Sequence, residues 1–201
     1  MEALALIEVT SWVAAIVMVD AMEKHARIRL LQSELNDAPG VCLKLYGGVA
    51  DVESTLRAAG DVGDAMHAQF LPGSINSPSG NSRSAWQAPA EFNPLIEQLM
   101  VRIPEAIMNK QSSFALGLIE TQGFTAIIEA IDTAVKTAAV EVLAREKLGG
   151  GYITIVIKGD VGSVRAAVEA GKQKVEGLGR LVAAHVIPNP SDGVLALLAK
   201  V

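Results

Sequence analysis

The sequence predicts an α/β (α+β) fold made of two tandem units, each with the order strand, helix, strand, strand, helix, strand. The first observation is a repeat: A-L-A-L-I-E-V-T at residues 3–10 returns as A-L-G-L-I-E-T-Q at residues 115–122. The second is that one offset of 112 residues holds without a gap over about fifty positions, as in Ile7 and Ile119 or Val52 and Val164. The third is that strand-like and helix-like apolar patterns alternate in the same order in both copies. Self-similarity of this length indicates a duplicated folding unit.

The first strand and first helix are clearest in the second copy. A short apolar strand around Leu116 and Leu118 precedes a stripe at helical spacing, formed by Phe124, Ile127, Ile128, Ile131 and Val135. The first copy keeps the stripe at Trp12, Ala15, Ile16 and Val19, as far as Glu23.

The second half of each copy predicts two further strands, a helix and a last strand. In the second copy the strands lie at 140–143 and 152–157, and Gly159-Asp160 turns the chain so that Asp160 caps the next helix. Val161, Val164 and Val168 give that helix an apolar stripe, matched by Val49, Val52 and Leu56. A last strand at 183–187 ends at Pro188, and its counterpart at 68–71 ends at Pro72. Aligning these prolines gives an offset of 116 and predicts about four extra residues in the second copy.

The segment between the copies has a different composition. Residues 73–91 are rich in Ser, Asn, Pro and Gly and predict a long surface loop, and residues 92–108 predict a short helix that corresponds to the one at 194–198. The predicted domains are therefore 1–108, with a loop insertion at about 73–91, and 112–201.

Composition excludes several classes of protein. Half of the 201 residues are hydrophobic but only 4% are aromatic, and the net charge is −5 without any basic run, which argues against nucleic-acid binding. The longest apolar stretch, residues 12–19, is too short to span a membrane, and no signal-peptide pattern begins the chain. A single cysteine, Cys42, forms no intrachain disulfide and fits a reducing compartment. We expect a soluble cytosolic protein.

Four motifs carry a resemblance to a known family. They are A-L-G-L-I-E-T-Q-G at 115–123, E-K-L-G-G-G at 146–151, I-K-G-D-V-G-S-V at 157–164 and H-V-I-P-N-P at 185–190. In this order and spacing they resemble bacterial microcompartment shell proteins, and residues 3–72 resemble the same family more weakly. The chain as a whole is similar to the tandem-domain subfamily, with the ordinary and not the permuted order of elements.

The resemblance implies a fold and an assembly. Each unit becomes a ferredoxin-like domain with a four-stranded, mainly antiparallel sheet and flanking helices. Three chains form a pseudo-hexamer that tiles the shell of a microcompartment in the cytoplasm, meets other shell proteins edge to edge, and passes small metabolites through a central pore. The implied protein is structural and not an enzyme. Head-to-tail contacts between similar but non-identical units can close into such a ring.

The family places its pore at the loop between the second and third strands. In the second unit this loop is Lys147, Leu148, Gly149, Gly150 and Gly151, and in the first it is Asn36, Asp37, Ala38, Pro39 and Gly40. Taken alone, the glycines also fit a plain hairpin turn, and a phosphate cradle is disfavoured because no helix follows them. If both loops line one opening, Asp37 and Lys147 give its rim charges of both signs.

The same resemblance bears on metals and on edge contacts. Some tandem members hold an iron–sulfur cluster through a cysteine directly before Pro-Gly, but here Ala38 occupies that position, so no cofactor is expected. Cys42 is predicted to be a buried, inert thiol on the strand face opposite Val41, Leu43 and Leu45. The family packs rings edge to edge through a lysine, here Lys24 and Lys136, which also read as i,i+4 pairs with Asp20 and Asp132. An arginine usual in the last motif is Asn189 here, with Gly73 as its expected counterpart in the first unit.

Other polar residues suggest no chemistry. His25, His67 and His185 are scattered without metal-ligand spacing. Glu8 and Glu120 are repeat equivalents and are expected to lie far apart around a ring. The alternative function is a trimeric regulatory protein of ferredoxin-like domains that binds a small molecule between subunits.

Overall fold

The computed structural model describes residues 2–35, 40–86 and 114–198. The first unit comprises β1 (Glu2–Val9), α1 (Trp12–His25), β2 (Ile28–Leu35), β3 (Val41–Gly48), α2 (Val49–Ala65), β4 (Phe70–Asn76), a 3-10 turn (Gly80–Ser82) and α3 (Arg83–Trp86). The second comprises β5 (Ala115–Gln122), α4 (Phe124–Thr137), β6 (Glu141–Gly149), β7 (Tyr152–Gly159), α5 (Val161–Gln173), β8 (Arg180–Ile187) and α6 (Asp192–Leu198).

Each unit forms one antiparallel sheet with two main helices on one face. The strand orders are β2-β3-β1-β4 and β6-β7-β5-β8, which are the same order in the two copies. Alternate residues of β1, such as Ala5 and Ile7, are fully buried in the core shared with α1 and α2. The predicted fold of two tandem α/β units is confirmed.

The register of the last strand corrects the predicted insertion. Leu4 of β1 pairs with Ile75 of β4, and Leu116 of β5 pairs with Ile187 of β8, so the offset is still 112 at this strand. The prediction of four extra residues was wrong because the strand does not stop at Pro72. Pro72 lies within β4 opposite Ile7, and an edge strand tolerates a proline that cannot donate to the ladder. The first residues of the predicted loop, 73–76, belong to the sheet.

The helical segment after the last strand is also reassigned. The counterpart of α6 is the turn and helix at 80–86, at the same offset of 112, and not the helix predicted at 92–108. Residues 92–108 lie outside the described residues. Asn189 accordingly corresponds to Ser77, which is followed by a proline in the same way, and not to Gly73.

Capping residues fix where the helices begin. The Ser11 side chain accepts a hydrogen bond from the Ala14 backbone N–H at the start of α1. Asp160 accepts one from Ser163 N at 3.0 Å and begins α5, as predicted. A hydrogen bond with the Ser163 side chain, and then this backbone bond, lower the pKa of Asp160 below its ordinary value.

A close approach of α5 to α4 gives a stability test. A Cβ at Gly171 would lie 2.8 Å from the backbone oxygen of Ala130, whereas one at Gly60 of α2 would meet nothing nearer than 3.8 Å. We expect Gly171→Ala to lower the free energy of unfolding by about 1–3 kcal/mol because backbone must move. Gly60→Ala, the control, should raise it by up to about 1 kcal/mol through helix propensity. Urea denaturation measures both, and a stabilised Gly171→Ala variant would contradict the packing described.

Candidate functional site: the joint between the two units

The outer face of the second sheet is covered by a helix of the first unit. Leu116, Leu118 and Glu120 point away from α4 and α5, yet each is fully buried. The two leucines pack in one cluster with the residues of α1, which contacts β5 and β8. The helix α1 therefore lies between two sheets, its own and that of the second unit.

Glu120 accepts hydrogen bonds from the start of α1. Its Oε2 accepts from the Ser11 hydroxyl at 2.5 Å and from Val13 N at 3.2 Å, and its Oε1 accepts from Trp12 N at 3.2 Å. The first N–H groups of a helix have no partner within the helix, and the helix dipole favours a negative charge there. Desolvation nevertheless raises the pKa of Glu120 above its ordinary value, against the lowering effect of these hydrogen bonds.

Two acidic residues near the other end of α1 accept hydrogen bonds from backbone N–H groups at the start of α6. Asp20 Oδ1 accepts from Ser191 N, and Glu23 Oε2 accepts from Gly193 N, each at 2.9 Å. Burial raises the pKa of Glu23. Lys24 Nζ contacts Asp20 Oδ2 at 2.7 Å and the backbone oxygen of Asn189 at 2.5 Å. The joint is thus fixed at both ends of α1.

The predicted i,i+4 pairs are confirmed, but the two lysines differ in their surroundings. Lys24 bridges the two units through Asn189, whereas Lys136 contacts only Asp132 among the partners found in the described part of the chain. The Lys136 side chain is the more exposed of the two. The edge role of Lys24, Lys136 and Asn189 stays a prediction.

The helix α4 has the repeat equivalent of the docking face of α1, and this face is exposed. Ile128 on α4 is 45% exposed, whereas its repeat equivalent Ile16 is 1% exposed. Phe124 of α4 and Val142 of β6 are also exposed, and their equivalents, Trp12 and Leu30, are buried. The face that α1 buries against the second unit is therefore an open apolar face on α4.

The repeat equivalent of the covered sheet face is exposed on β4, although Leu4 of β1, the equivalent of Leu116, is already fully buried. Ile75 on β4 is 46% exposed, whereas its equivalent Ile187 on β8 is 2% exposed beneath the first unit. Leu71 of the same strand is exposed, and Glu8, the equivalent of Glu120, is half-buried. The chain thus has one complete joint, and the repeat equivalents of its helix side and of part of its sheet side are exposed.

The loop of the second unit implied by the family resemblance is a tight glycine turn. Gly149, Gly150 and Gly151 all have positive φ, at 85°, 57° and 83°, between the ends of β6 and β7. Residues with a side chain disfavour this region, so the glycines are required by the backbone. The hairpin turn is confirmed, with Lys147 exposed and Leu148 partly buried near it.

Hydrogen bonds tie this turn to the end of β5. Gly151 O accepts from Gly123 N at 3.0 Å, and Gly150 O accepts from Gln122 Nε2 at 3.2 Å. In the corresponding loop of the first unit, Asn36, Asp37, Ala38 and Pro39 lie outside the described residues. Gly40, which is described, has a φ of 133° directly before β3.

Cys42 lies where the alternation of β3 predicts. Val41, Leu43 and Leu45 face the core, and Cys42 is half-buried on the opposite face, across from Glu8 and Glu34. Desolvation raises the pKa of its thiol. Within residues 2–35, 40–86 and 114–198, no group of three His, Cys, Asp or Glu side chains is placed to hold a metal ion. The same segments contain no helix long and apolar enough to cross a membrane.

The residues of the joint were not predicted. Glu120 accepts hydrogen bonds from the helix that begins four residues after its repeat equivalent Glu8, and the expected separation of the two acids around a ring stays a prediction. The roles of Glu120, Ser11 and Glu23 were missed. A usable signal was present, since an acid at the end of an otherwise apolar strand is buried only if it finds donors.

Comparisons with known proteins agree with this architecture. The BMC domain matches the chain twice, at residues 3–75 and 115–190. The chain belongs to the BMC domain family. The two ranges fall inside the predicted domains, whose outer bounds stay predictions.

Several relatives are named as microcompartment shell proteins or carboxysome proteins. The bacterial microcompartment shell protein PduA of Citrobacter freundii is 46% identical over 86 residues, 43% of this chain and 92% of that protein. The carboxysome assembly protein CcmO of Synechococcus elongatus is 33% identical over 195 residues, 96% of this chain and 67% of that protein. A solved microcompartment protein structure from Desulfitobacterium hafniense DCB aligns with 97% of this chain and 98% of that one, at 30% identity and a TM-score of 0.39.

The buried carboxyl of the joint predicts a pH dependence. The folded protein holds the Glu120 proton more tightly than the unfolded chain, where the pKa is near its ordinary value of 4.5. The stability that this proton gives is therefore full below that value and is lost as pH rises through the raised pKa. Glu120→Gln cannot titrate, so between pH 4 and 7 its unfolding free energy should fall less with pH than that of the wild type. Urea denaturation across this range measures the difference, and parallel curves would contradict it.

Proposed function

We propose that this chain is a structural shell protein of a bacterial microcompartment and not an enzyme. The support comes from its two BMC domains and from relatives that are named as shell proteins of microcompartments and carboxysomes. The buried carboxylate of Glu120 and the half-buried one of Glu23 serve packing, because both accept hydrogen bonds from backbone N–H groups at helix starts. By this proposal the protein resides in the cytoplasm, in the microcompartment shell.

The proposed assembly is a homotrimeric ring of six units. The observation that supports it is the exposed repeat equivalent of the joint, with a helix half on α4 and a sheet half on β4. These halves lie on different units, so one copy offers α4 to the sheet of the next in a head-to-tail contact. Contacts of this kind close into rings or continue as filaments. Closure with three chains follows the family resemblance and gives a pseudo-hexamer.

The proposed pore is lined by the loops that follow β2 and β6. Gly149, Gly150 and Gly151 put backbone groups at the rim, and Lys147 puts a positive charge near it. The other loop, Asn36, Asp37, Ala38, Pro39 and Gly40, alternates with it around the ring. Rims of opposite charge and exposed backbone favour small polar metabolites. Ala38 in place of a cysteine supports a pore without an iron–sulfur cluster, which an iron assay on anaerobically purified protein tests.

The proposed edge contacts use the exposed lysines. Lys136 has its ammonium directed to Asp132 on an open surface, and Lys24 lies at the joint between the units beside Asn189. Both are available to the edges of neighbouring rings, so the proposed partners are further copies and other shell proteins.

A regulatory trimer is the second candidate, favoured by one open groove. The groove lies between α5 and β8, has a volume of about 660 Å³, and includes Arg165, Glu169, Lys172 and His185 in its lining. Burial lowers the pKa of His185, so this side chain is neutral at physiological pH. Lys172 pairs with Glu169 at 2.7 Å, so the lining keeps one positive charge in excess, which suits a small anionic ligand.

The ring is tested by the mass of the assembly. We expect the wild type to sediment as three chains of 21.1 kDa each. Ile128→Glu puts a charge on the open face of α4 and should give a folded single chain, because a desolvated unpaired charge opposes docking. Val161→Glu is the matched control, since Val161 is exposed at the start of α5, where an acid is tolerated. A monomeric wild type, or an unchanged Ile128→Glu trimer, would contradict the assembly.

Electron microscopy of concentrated wild-type protein separates the two candidate functions. A shell protein is expected to form flat sheets or tubes through edge contacts. Lys136→Ala should then reduce sheets without changing the mass of the ring in dilute solution. Discrete trimers, together with a melting temperature that rises with small anions, would support the regulator instead.

A further inference from the structure

Glu8 occupies on β1 the position that Glu120 occupies on β5. It lies on the outer face of the first sheet, across from Cys42 on β3 and Leu71 on β4. In the described segments no hydrogen bond reaches its carboxylate. The other two acids nearby are engaged, since Glu2 accepts from the Tyr46 hydroxyl at 2.8 Å and Glu34 pairs with Lys44 at 2.7 Å. Of these three carboxylates, only that of Glu8 has no hydrogen-bond partner among the described residues.

The start of α4 lacks the cap that α1 has. Phe124 and Thr125 are its first two residues and both are exposed, and no side chain caps the helix. Their equivalents in α1, Trp12 and Val13, donate their N–H groups to Glu120. A helix start with open N–H groups and a positive dipole end favours a carboxylate.

We propose that the Glu8 carboxylate of one copy caps α4 of a second copy, by accepting from the backbone N–H groups of Phe124 and Thr125. This inference rests on the proposed ring and adds the residue that directs α4 to the first sheet. The complete joint within each chain supplies the template, with Glu120 in the place of Glu8. The open apolar groups on either side, Ile128 on α4 and Leu71 with Ile75 on β4, meet around the contact.

The two joints are not equal in their polar contacts. Gly123 replaces Ser11, so the hydroxyl that bonds Glu120 has no equivalent, and a φ of 126° at Gly123 disfavours any side chain there. Val135 replaces Glu23, which removes the acceptor for the backbone at residue 193. Asp132 and Lys136 keep the positions of Asp20 and Lys24. The joint between copies therefore has at least two polar contacts fewer and separates before the joint within a chain.

Dilution of the full-length chain, followed by analytical ultracentrifugation, tests this role. We expect Glu8→Ala to raise the concentration at which half the chains are in rings by about 10- to 100-fold, as for loss of charge-assisted hydrogen bonds. Glu8→Gln should raise it by less, because an amide oxygen still accepts. Glu53→Gln, the same charge change on an exposed position of α2, is the control and should leave the midpoint unchanged. Circular dichroism of the dissociated chains should be the same in all variants.

A double-mutant cycle tests the contact with α4 itself. Thr125→Asp puts a carboxylate beside the proposed position of Glu8 while suiting the start of the isolated helix. It should weaken the wild-type ring by at least about tenfold and weaken the Glu8→Gln ring much less, because the repulsion is gone. Equal weakening in both backgrounds, or a Glu8→Ala midpoint equal to that of the wild type, overturns the inference and leaves the ring intact. A wild type that never forms rings overturns the proposed assembly and this inference together.

Discussion

The contact between Glu120 and the first turn of α1 is the interaction on which the two-unit structure depends. Nine of the 14 residues of α1 are buried, so the helix is covered on both sides and its first N–H groups cannot reach water. Without an acceptor each buried N–H would cost about 1–3 kcal/mol. A carboxylate supplies two oxygens for three donors in one place. The helix dipole and the Ser11 hydroxyl offset part of the desolvation that raises the pKa of this carboxyl.

In the proposed assembly, the difference between α1 and α4 reflects when each helix is covered. Both have 14 residues, but only four of α4 are buried in the single chain. Val13 and Val17 of α1 become Thr125 and Glu129, which are exposed. A helix joined to its partner by the chain is covered as soon as the chain folds and tolerates an apolar surface all round. A helix that waits in water for a second copy needs polar residues beside its docking face, and α4 has them.

The repeat made much of this fold predictable. Local sequence signals gave a wrong result where the position of a strand depends on its pairing register. Strands, helices and the Asp160 cap follow from apolar periodicity and turn residues, which are local. The predicted last strand of the first unit ended too early, at Pro72, because two prolines were aligned by residue type. The strand pairing makes Ile75 the equivalent of Ile187, since they pair with the equivalent residues Leu4 and Leu116. The joint could not be predicted from the sequence for another reason. Ile16 and Ile128 have the same residue type and the same helical position, and only tertiary structure shows that one is buried and the other open.

Fusion of two units changes what a ring of six must achieve. In the proposed ring, three of the six joints form within chains, at an effective concentration fixed by the linker and independent of the amount of protein. Those joints carry the fuller set of polar contacts, through Ser11, Glu23 and Glu120. Only the three joints between chains then require separate chains to meet in solution, and all three form in the same closed ring. Weaker joints between chains suffice for a closed ring and still let wrongly placed copies leave. The divergence of Gly123 and Val135 from Ser11 and Glu23 is thus what a fused assembly permits, whereas six separate subunits would need every joint to be equally strong.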